Sequence, residues 1–350
     1  MVNHLRRDLG RWVVWGSVLA LAGCQAEPPA PLASSAQVQR LPPELQAEIG
    51  RLLEEYCGTA ESPKLLGDDS TSIEHLRRGR RVYLQRCWHC HGGAGDGAGP
   101  AADWLYPRPR DYRRGVFKFT STPYGGKPRR DDLLRTIRVG SPGTSMPSFN
   151  LLPAQDLEAV VDYVLVLTHR GELEFQFAAE ADAAEELPRE TAAELVQEVL
   201  DTWKEAQDNV VQPLTPEPRL TAEHVQAGRE AFLSKGCSKC HGDDGRGQTA
   251  DNWRGDLKDV WGFTTRAADL TSGMLHGGHE PLDIYRRISS GINGTPMPAF
   301  RNALENEPET LWNLTSYVLY VSNRRRAGTI PEAGLLKVSP QPVGEGASGK

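Results

Sequence analysis

Methionine and cysteine are scarce in this chain of 350 residues, which has four of the first and six of the second. Six cysteines are too few to staple so long a chain as a disulfide scaffold. Positive charge is not in excess either: the formal net charge is -6, which gives no electrostatic reason to expect a nucleic-acid partner. Long apolar runs are missing as well. The stretch from Trp12 to Ala22 has 11 residues, whereas a membrane-spanning helix needs about 20. With 39% hydrophobic and 25% charged residues, the composition excludes a polytopic membrane protein and a wholly disordered chain. The length allows two ordinary domains, at roughly 150 residues each.

What is present at the N-terminus is an export signal. Arg6, Arg7 and Arg11 precede the apolar stretch, which ends in Leu21-Ala22-Gly23-Cys24: a charged region, a short apolar region and a small-residue cleavage site. Leu-Ala-Gly-Cys resembles the bacterial lipoprotein box, and that resemblance implies cleavage before Cys24 and lipidation of Cys24. An ordinary secretory signal cut elsewhere, or an uncleaved anchor, is the other reading. Residues 1–23 are thus expected to be a signal peptide, and the mature chain to sit lipid-anchored on the periplasmic side of a bacterial membrane. Residues 24–69 are expected to hold a Pro- and Ala-rich tether and an amphipathic helix near Pro43 to Tyr56.

An internal repeat organises the rest. Glu74-His75-x-x-x-Gly79-Arg80-x-x-Tyr83-Leu84 is matched by Glu223-His224-x-x-x-Gly228-Arg229-x-x-Phe232-Leu233. Each run leads into C-x-x-C-H: Cys87, Cys90 and His91 in the first copy, Cys237, Cys240 and His241 in the second. Downstream, Gly143-Thr-Ser-Met146-Pro-Ser-Phe149 parallels Gly294-Thr-Pro-Met297-Pro-Ala-Phe300, and each copy closes on a segment of helical spacing containing Tyr163 or Tyr317. The copies are expected near 70–172 and 219–328, joined by an acidic, partly helical linker at 173–218 and followed by a flexible tail at 329–350. From Gly171 to Asp208 there are twelve acidic residues against two basic ones, with Leu195, Val196, Val199, Leu200 and Trp203 on one helical face.

The chemistry lies in C-x-x-C-H, the attachment signature of c-type haem, in which two thiols form thioethers and the adjacent histidine ligates iron. A redox C-x-x-C or half a zinc site would not call for a methionine at a fixed distance. Here Met146 lies 55 residues after His91, and Met297 lies 56 after His241. A thioether is a soft, neutral sixth ligand that raises the potential of haem iron. Met274, close to His276 and His279, is a rival for the second iron. His75, His89 and His224 read as surface or packing residues, and Cys57 as a small buried side chain.

Both copies resemble class I cytochrome c domains, over roughly 210 of the 350 residues: a first helix with glycine and an aromatic, the haem motif, a glycine-rich loop, a methionine loop and a last helix. The resemblance implies an all-α fold of two tandem class I cytochrome c-like domains, two covalent haem c groups, and Gly79 or Gly228 packed against Tyr163 or Tyr317. It also implies that the Pro100 carbonyl supports the His91 ring, a feature for which the second loop has no equivalent proline. Two irons saturated by His and Met would make a membrane-anchored dihaem electron carrier between respiratory redox partners, alone or as a subunit of a complex. The alternative is a dihaem enzyme of peroxidase or thiosulfate-oxidising type, with one haem open to substrate. From Trp104 to Arg138 the first copy has ten basic residues against three acidic ones. That stretch is read either as a docking face for an acidic redox partner or as a solvated loop whose arginines pair with the acidic linker of the same chain.

Overall fold

The computed structural model describes residue 32 and residues 34–326, with no side chain described for 324–326. The expected signal peptide, Cys24 and the tail from 329 lie outside the described residues. Among the described residues there is no β-strand, only two isolated bridges, and the architecture is all-α. Helix α1 (Pro43–Cys57) starts on a proline, whose missing N–H costs nothing at that position, and buries Ile49, Leu52, Leu53 and Cys57. Helix α2 (Ile73–Arg86) is capped by Ser72, which accepts from the His75 amide at 3.2 Å. There follow α3 (Trp88–His91), α4 (Arg130–Val139), α5 (Ala154–Ala184) and α6 (Arg189–Asp208). The second unit repeats the order with α7 (Ala222–Ser234), α8 (Ser238–His241), α9 (Ala250–Arg254), α10 (Pro281–Ser290) and α11 (Glu309–Arg326).

In each unit the first helix crosses the last at a glycine. A Cβ at Gly79 would overlap the Ala159 carbonyl, and one at Gly228 would overlap that of Asn313, so α2 meets α5, and α7 meets α11, backbone to backbone. Tyr83 and Tyr163 pack beside the first crossing at 5.5 Å between centroids, and Phe232 and Tyr317 beside the second at 5.1 Å. The crossing fixes where the residues after α2 and α7 emerge, and these residues carry the C-x-x-C-H motifs.

Helix α5 runs through residue 172 without a break and continues to Ala184. Gly171 sits inside this helix, where the backbone of Arg113 crosses it so closely that a Cβ would collide. The helix stops after Ala184, where Glu185 turns left-handed at φ 59° and Pro188 follows. The acidic segment then folds back on the first unit. Leu187, Ala192, Val196, Val199 and Trp203 are buried in the same core as Phe177, Tyr83 and Ile49, with Leu195 and Leu200 packed against it. Glutamates line the outer face of α6, and its apolar stripe belongs to the first domain's core.

Candidate functional site

Each C-x-x-C-H motif forms a single helical turn, α3 or α8. The His91 amide bonds to the Cys87 carbonyl at 2.9 Å, and that of His241 to Cys237 at 3.0 Å. One turn places both cysteines on the same edge and leads the histidine inward. None of these four cysteines is disulfide-bonded, and all are half-buried. Burial pushes the Cys87 thiol up to about 12 and that of Cys237 to about 11, so both stay neutral thiols.

Both histidine rings are anchored from below by a backbone carbonyl. His91 Nδ1 lies 3.1 Å from the Arg110 carbonyl and His241 Nδ1 lies 3.0 Å from that of Ala268. A carbonyl can only accept, so Nδ1 carries the proton and Nε2 keeps its lone pair for a metal. Burial lowers both imidazole pKa values, which favours the neutral ring that ligation needs. Pro100 does not have the role expected of it. Gly99 and Ala101 are tied back to the carbonyls of Cys90 and His89 at 3.2 and 2.9 Å, and this leaves Pro100 exposed on the loop. The absence of a matching proline in the second copy therefore makes no difference to the ring. Around both anchors the two copies agree bond for bond. Gly97 and Gly247 amides bond to His91 and His241 carbonyls, and Tyr112 and Leu270 amides to Gly95 and Gly245 carbonyls.

The first site has an addition. Tyr112 donates to the Tyr83 hydroxyl at 2.6 Å, and Tyr83 donates to the Gly92 carbonyl at 2.7 Å. The second copy has Phe232 and Leu270 at these positions, so this polar chain is confined to the first. Sequence reading missed Arg110, Ala268 and Tyr112. The only local signal was an aspartate shared by Pro109-Arg110-Asp111-Tyr112 and Ala267-Ala268-Asp269-Leu270.

The two methionine loops are equivalent. In the first, the Ser141 amide bonds to the Met146 carbonyl at 3.1 Å, and the Met146 amide to Thr144 Oγ1 at 3.2 Å. In the second, the Ile292 amide bonds to the Met297 carbonyl at 3.1 Å, and the Met297 amide to Thr295 Oγ1 at 3.3 Å. Both methionines are half-buried. Met274 is 51% exposed and, with His276, lies against Gly143 in the methionine loop of the first unit, so it faces the other domain.

The cations of the first domain's basic stretch are mostly engaged within the chain. Arg113 pairs with Asp111, Lys127 with Glu172, and Arg130 with Glu158 and Asp162. Others bind the second domain: Arg135 pairs with Asp283, while Arg110 and Arg108 lie 3.7 and 4.6 Å over the rings of Trp261 and Phe263. The remaining side chains behave as packing residues. His75 bonds Asp162 at 2.8 Å, His224 bonds Thr221 at 2.9 Å, and His89 is exposed. Cys57 is buried, its thiol pushed up to about 12 by desolvation.

Two thiols and an imidazole with a free lone pair form, in each copy, the donors that covalent attachment of haem c requires. Comparison with known proteins points the same way. Residues 74–164 match the family described as cytochrome C oxidase, cbb3-type, subunit III, and residues 225–322 match the family cytochrome c. Cytochrome c55X of Stutzerimonas stutzeri is 38% identical over 96 residues, which cover 27% of this chain and 64% of that protein. A chain of the Kuenenia stuttgartiensis reducing HAO-like protein complex is 31% identical, with a TM-score of 0.53 over 70% of this chain and 95% of that one.

Proposed function

Because the chain belongs to the c-type cytochromes, with two cytochrome c domains that bind haem c covalently and transfer electrons, we propose that it is an exported, lipid-anchored carrier of single electrons between respiratory redox partners. Haem, when bound, supplies reversible one-electron chemistry at its iron. The chain supplies everything that restricts the iron to that chemistry. Cys87 and Cys90, or Cys237 and Cys240, fix each group covalently. His91 and His241 ligate through Nε2, their rings held by the Arg110 and Ala268 carbonyls. Met146 and Met297 would supply the second protein ligand to each iron, which would leave no position for a substrate.

The observation that supports this reading is the identical hydrogen bonding of the two methionine loops. An enzyme of this class needs one iron with a labile or missing sixth ligand, and nothing distinguishes the Met297 loop from the Met146 loop in that respect. Cys24, following Leu-Ala-Gly, is the lipidation site in this proposal. The first domain spans 70–172 with α5 and α6 added to its core, and the second spans 219–328. Similarity to a chain of a reducing HAO-like protein complex supports service as an electron-transfer subunit of a complex. Optical and low-temperature magnetic resonance spectra of the holoprotein test the ligation. Two low-spin haems, each with the near-infrared band of methionine ligation and inert to cyanide, are expected. A single high-spin or cyanide-binding haem would replace the carrier with an enzyme.

A further inference from the structure

The two copies support their histidine rings alike but hold the supporting carbonyls in place differently. In the first copy, Tyr112 pins the segment that carries the Arg110 carbonyl. Its amide donates to the Gly95 carbonyl at 3.1 Å, its carbonyl accepts the Gly115 amide at 2.9 Å, and its buried hydroxyl acts through Tyr83 on the Gly92 carbonyl. Gly92 directly follows His91, so the chain of bonds closes on itself. It runs from the backbone beside the ligand, through α2, to the segment beneath the ligand's ring. The Tyr112 ring also lies 5.5 Å from the His91 ring.

In the second copy Phe232 and Leu270 replace both tyrosines, and a buried asparagine takes over. Asn252, in α9, donates through Nδ2 to the Gly247 carbonyl at 2.6 Å and the Ala267 carbonyl at 3.2 Å, while its Oδ1 accepts the Ala267 amide at 3.0 Å. The Cys240 carbonyl lies 3.4 Å from the same nitrogen. Ala267 directly precedes Ala268, whose carbonyl holds the His241 ring, so one carboxamide ties the haem motif, the glycine-rich loop and the supporting segment together. The first copy has no such residue: Ala101-Ala102-Asp103-Trp104 matches Thr249-Ala250-Asp251-Asn252-Trp253 with the asparagine missing. Each device is absent where the other is present. We propose that Tyr112 is the positioning residue for the His91 ring and Asn252 the positioning residue for the His241 ring, so that each histidine's donation to its iron is set separately.

An Nδ1–H that donates to a firmly held carbonyl makes Nε2 the stronger donor, which favours oxidised iron. Loosening the carbonyl therefore raises the midpoint potential of that haem alone. The proposal rests on ligation by His91 and His241, and it does not depend on which partners the protein serves. The experiment is a spectroelectrochemical titration of the holoprotein, with proton magnetic resonance following exchange of the two Nδ1–H protons into heavy water. Tyr112→Phe and Tyr83→Phe remove one hydroxyl each; Asn252→Leu removes the carboxamide at similar volume, and Asn252→Ala is its smaller companion. Met146→His, which alters the first ligand set alone, assigns the two potentials. The tyrosine variants are expected to raise the potential of the first haem and speed exchange at His91 several-fold, with the second haem unchanged. The Asn252 variants are expected to do the same at the second haem and His241 only. Unchanged potentials, a shift of both haems by one variant, or a potential that moves while exchange does not overturns the proposal for that copy. A wild-type spectrum without histidine ligation would instead remove the ligation on which it rests.

Discussion

At Gly79 a single methyl group would collide with the Ala159 carbonyl and the Tyr163 Cβ, and neither helix backbone can yield without opening the crossing. Gly79→Ala is therefore expected to destabilise the holoprotein by about 1–3 kcal/mol in guanidinium denaturation. Gly50, inside α1 with nothing near its missing Cβ, is the control: Gly50→Ala should gain up to about 1 kcal/mol from helix propensity alone. Equal effects at the two sites would mean that the close crossing is not what selects glycine. His169 is a different kind of residue, buried with both ring nitrogens unbonded and its ring 4.7 Å from that of Trp203. Burial, and after it the charge of Lys127, pushes its pKa from 6.5 to about 3. The unfolded chain takes up a proton near 6.5 that the folded chain refuses. The contribution of His169 is thus complete above that pH and is lost as pH falls, by about 1.4 kcal/mol per unit. His169→Phe should lose less stability between pH 7 and pH 5 than wild type does, in urea titrations at the two pH values. An unchanged pH slope would place the acid sensitivity elsewhere.

Helix α6 carries the acidic segment into the first domain's core, and Trp203 is its anchor. The indole donates to Glu172 at 2.6 Å, Glu172 also pairs with Lys127, and the ring edge meets His169. Trp203→Ala should cost about 3–5 kcal/mol through the cavity it opens. Trp203→Phe should cost roughly 1–3 kcal/mol, chiefly because it leaves a buried carboxylate oxygen without its donor. If thermal denaturation shows both variants within error of wild type, α6 is a passenger on the domain. The sequence could show the stripe on α6 but not the surface it covers, because amphipathicity names a face and not a partner. By contrast, everything local to the haem motifs was legible: the repeat, the C-x-x-C-H turns and the methionine loops are set by spacing within a few residues. The carbonyls beneath the histidines were not. They lie 19 residues after His91 and 27 after His241, with an insertion between, so no fixed offset could have found them. Pro100 was chosen by analogy and fails for a tertiary reason, since the loop that carries it is tied outward. The role of Gly171 was equally illegible, because the Arg113 backbone that crosses it is remote in sequence.

At the scale of the whole molecule, the two domains are joined by contacts that salt does not easily reach. Asn293 accepts from the Gly125 amide at 2.9 Å and donates to the Gly126 carbonyl at 3.2 Å, and the Val211 amide bonds to the Ser121 carbonyl at 2.8 Å. Arg110 stacks on Trp261, and Arg287 is held by two carbonyls. The ion pair across this interface, Arg135 with Asp283, is half open to solvent on the arginine side. Raising the ionic strength to 1 M shortens the Debye length to about 3 Å, which screens that pair and leaves the buried contacts intact. The radius of gyration of the holoprotein should therefore be the same at low and high salt by small-angle scattering. Asn293→Ala, which strips partners from two backbone groups, should enlarge it. The same arrangement sets how the chain meets other proteins. Most cations of the stretch from Trp104 to Arg138 are paired or stacked within the chain, so little of that charge remains to steer an acidic partner. Electron-transfer rates between the first haem and an acidic redox protein should then vary only weakly with ionic strength in stopped-flow measurements. A steep fall with salt would mean that the stretch docks a partner in addition to binding the second domain.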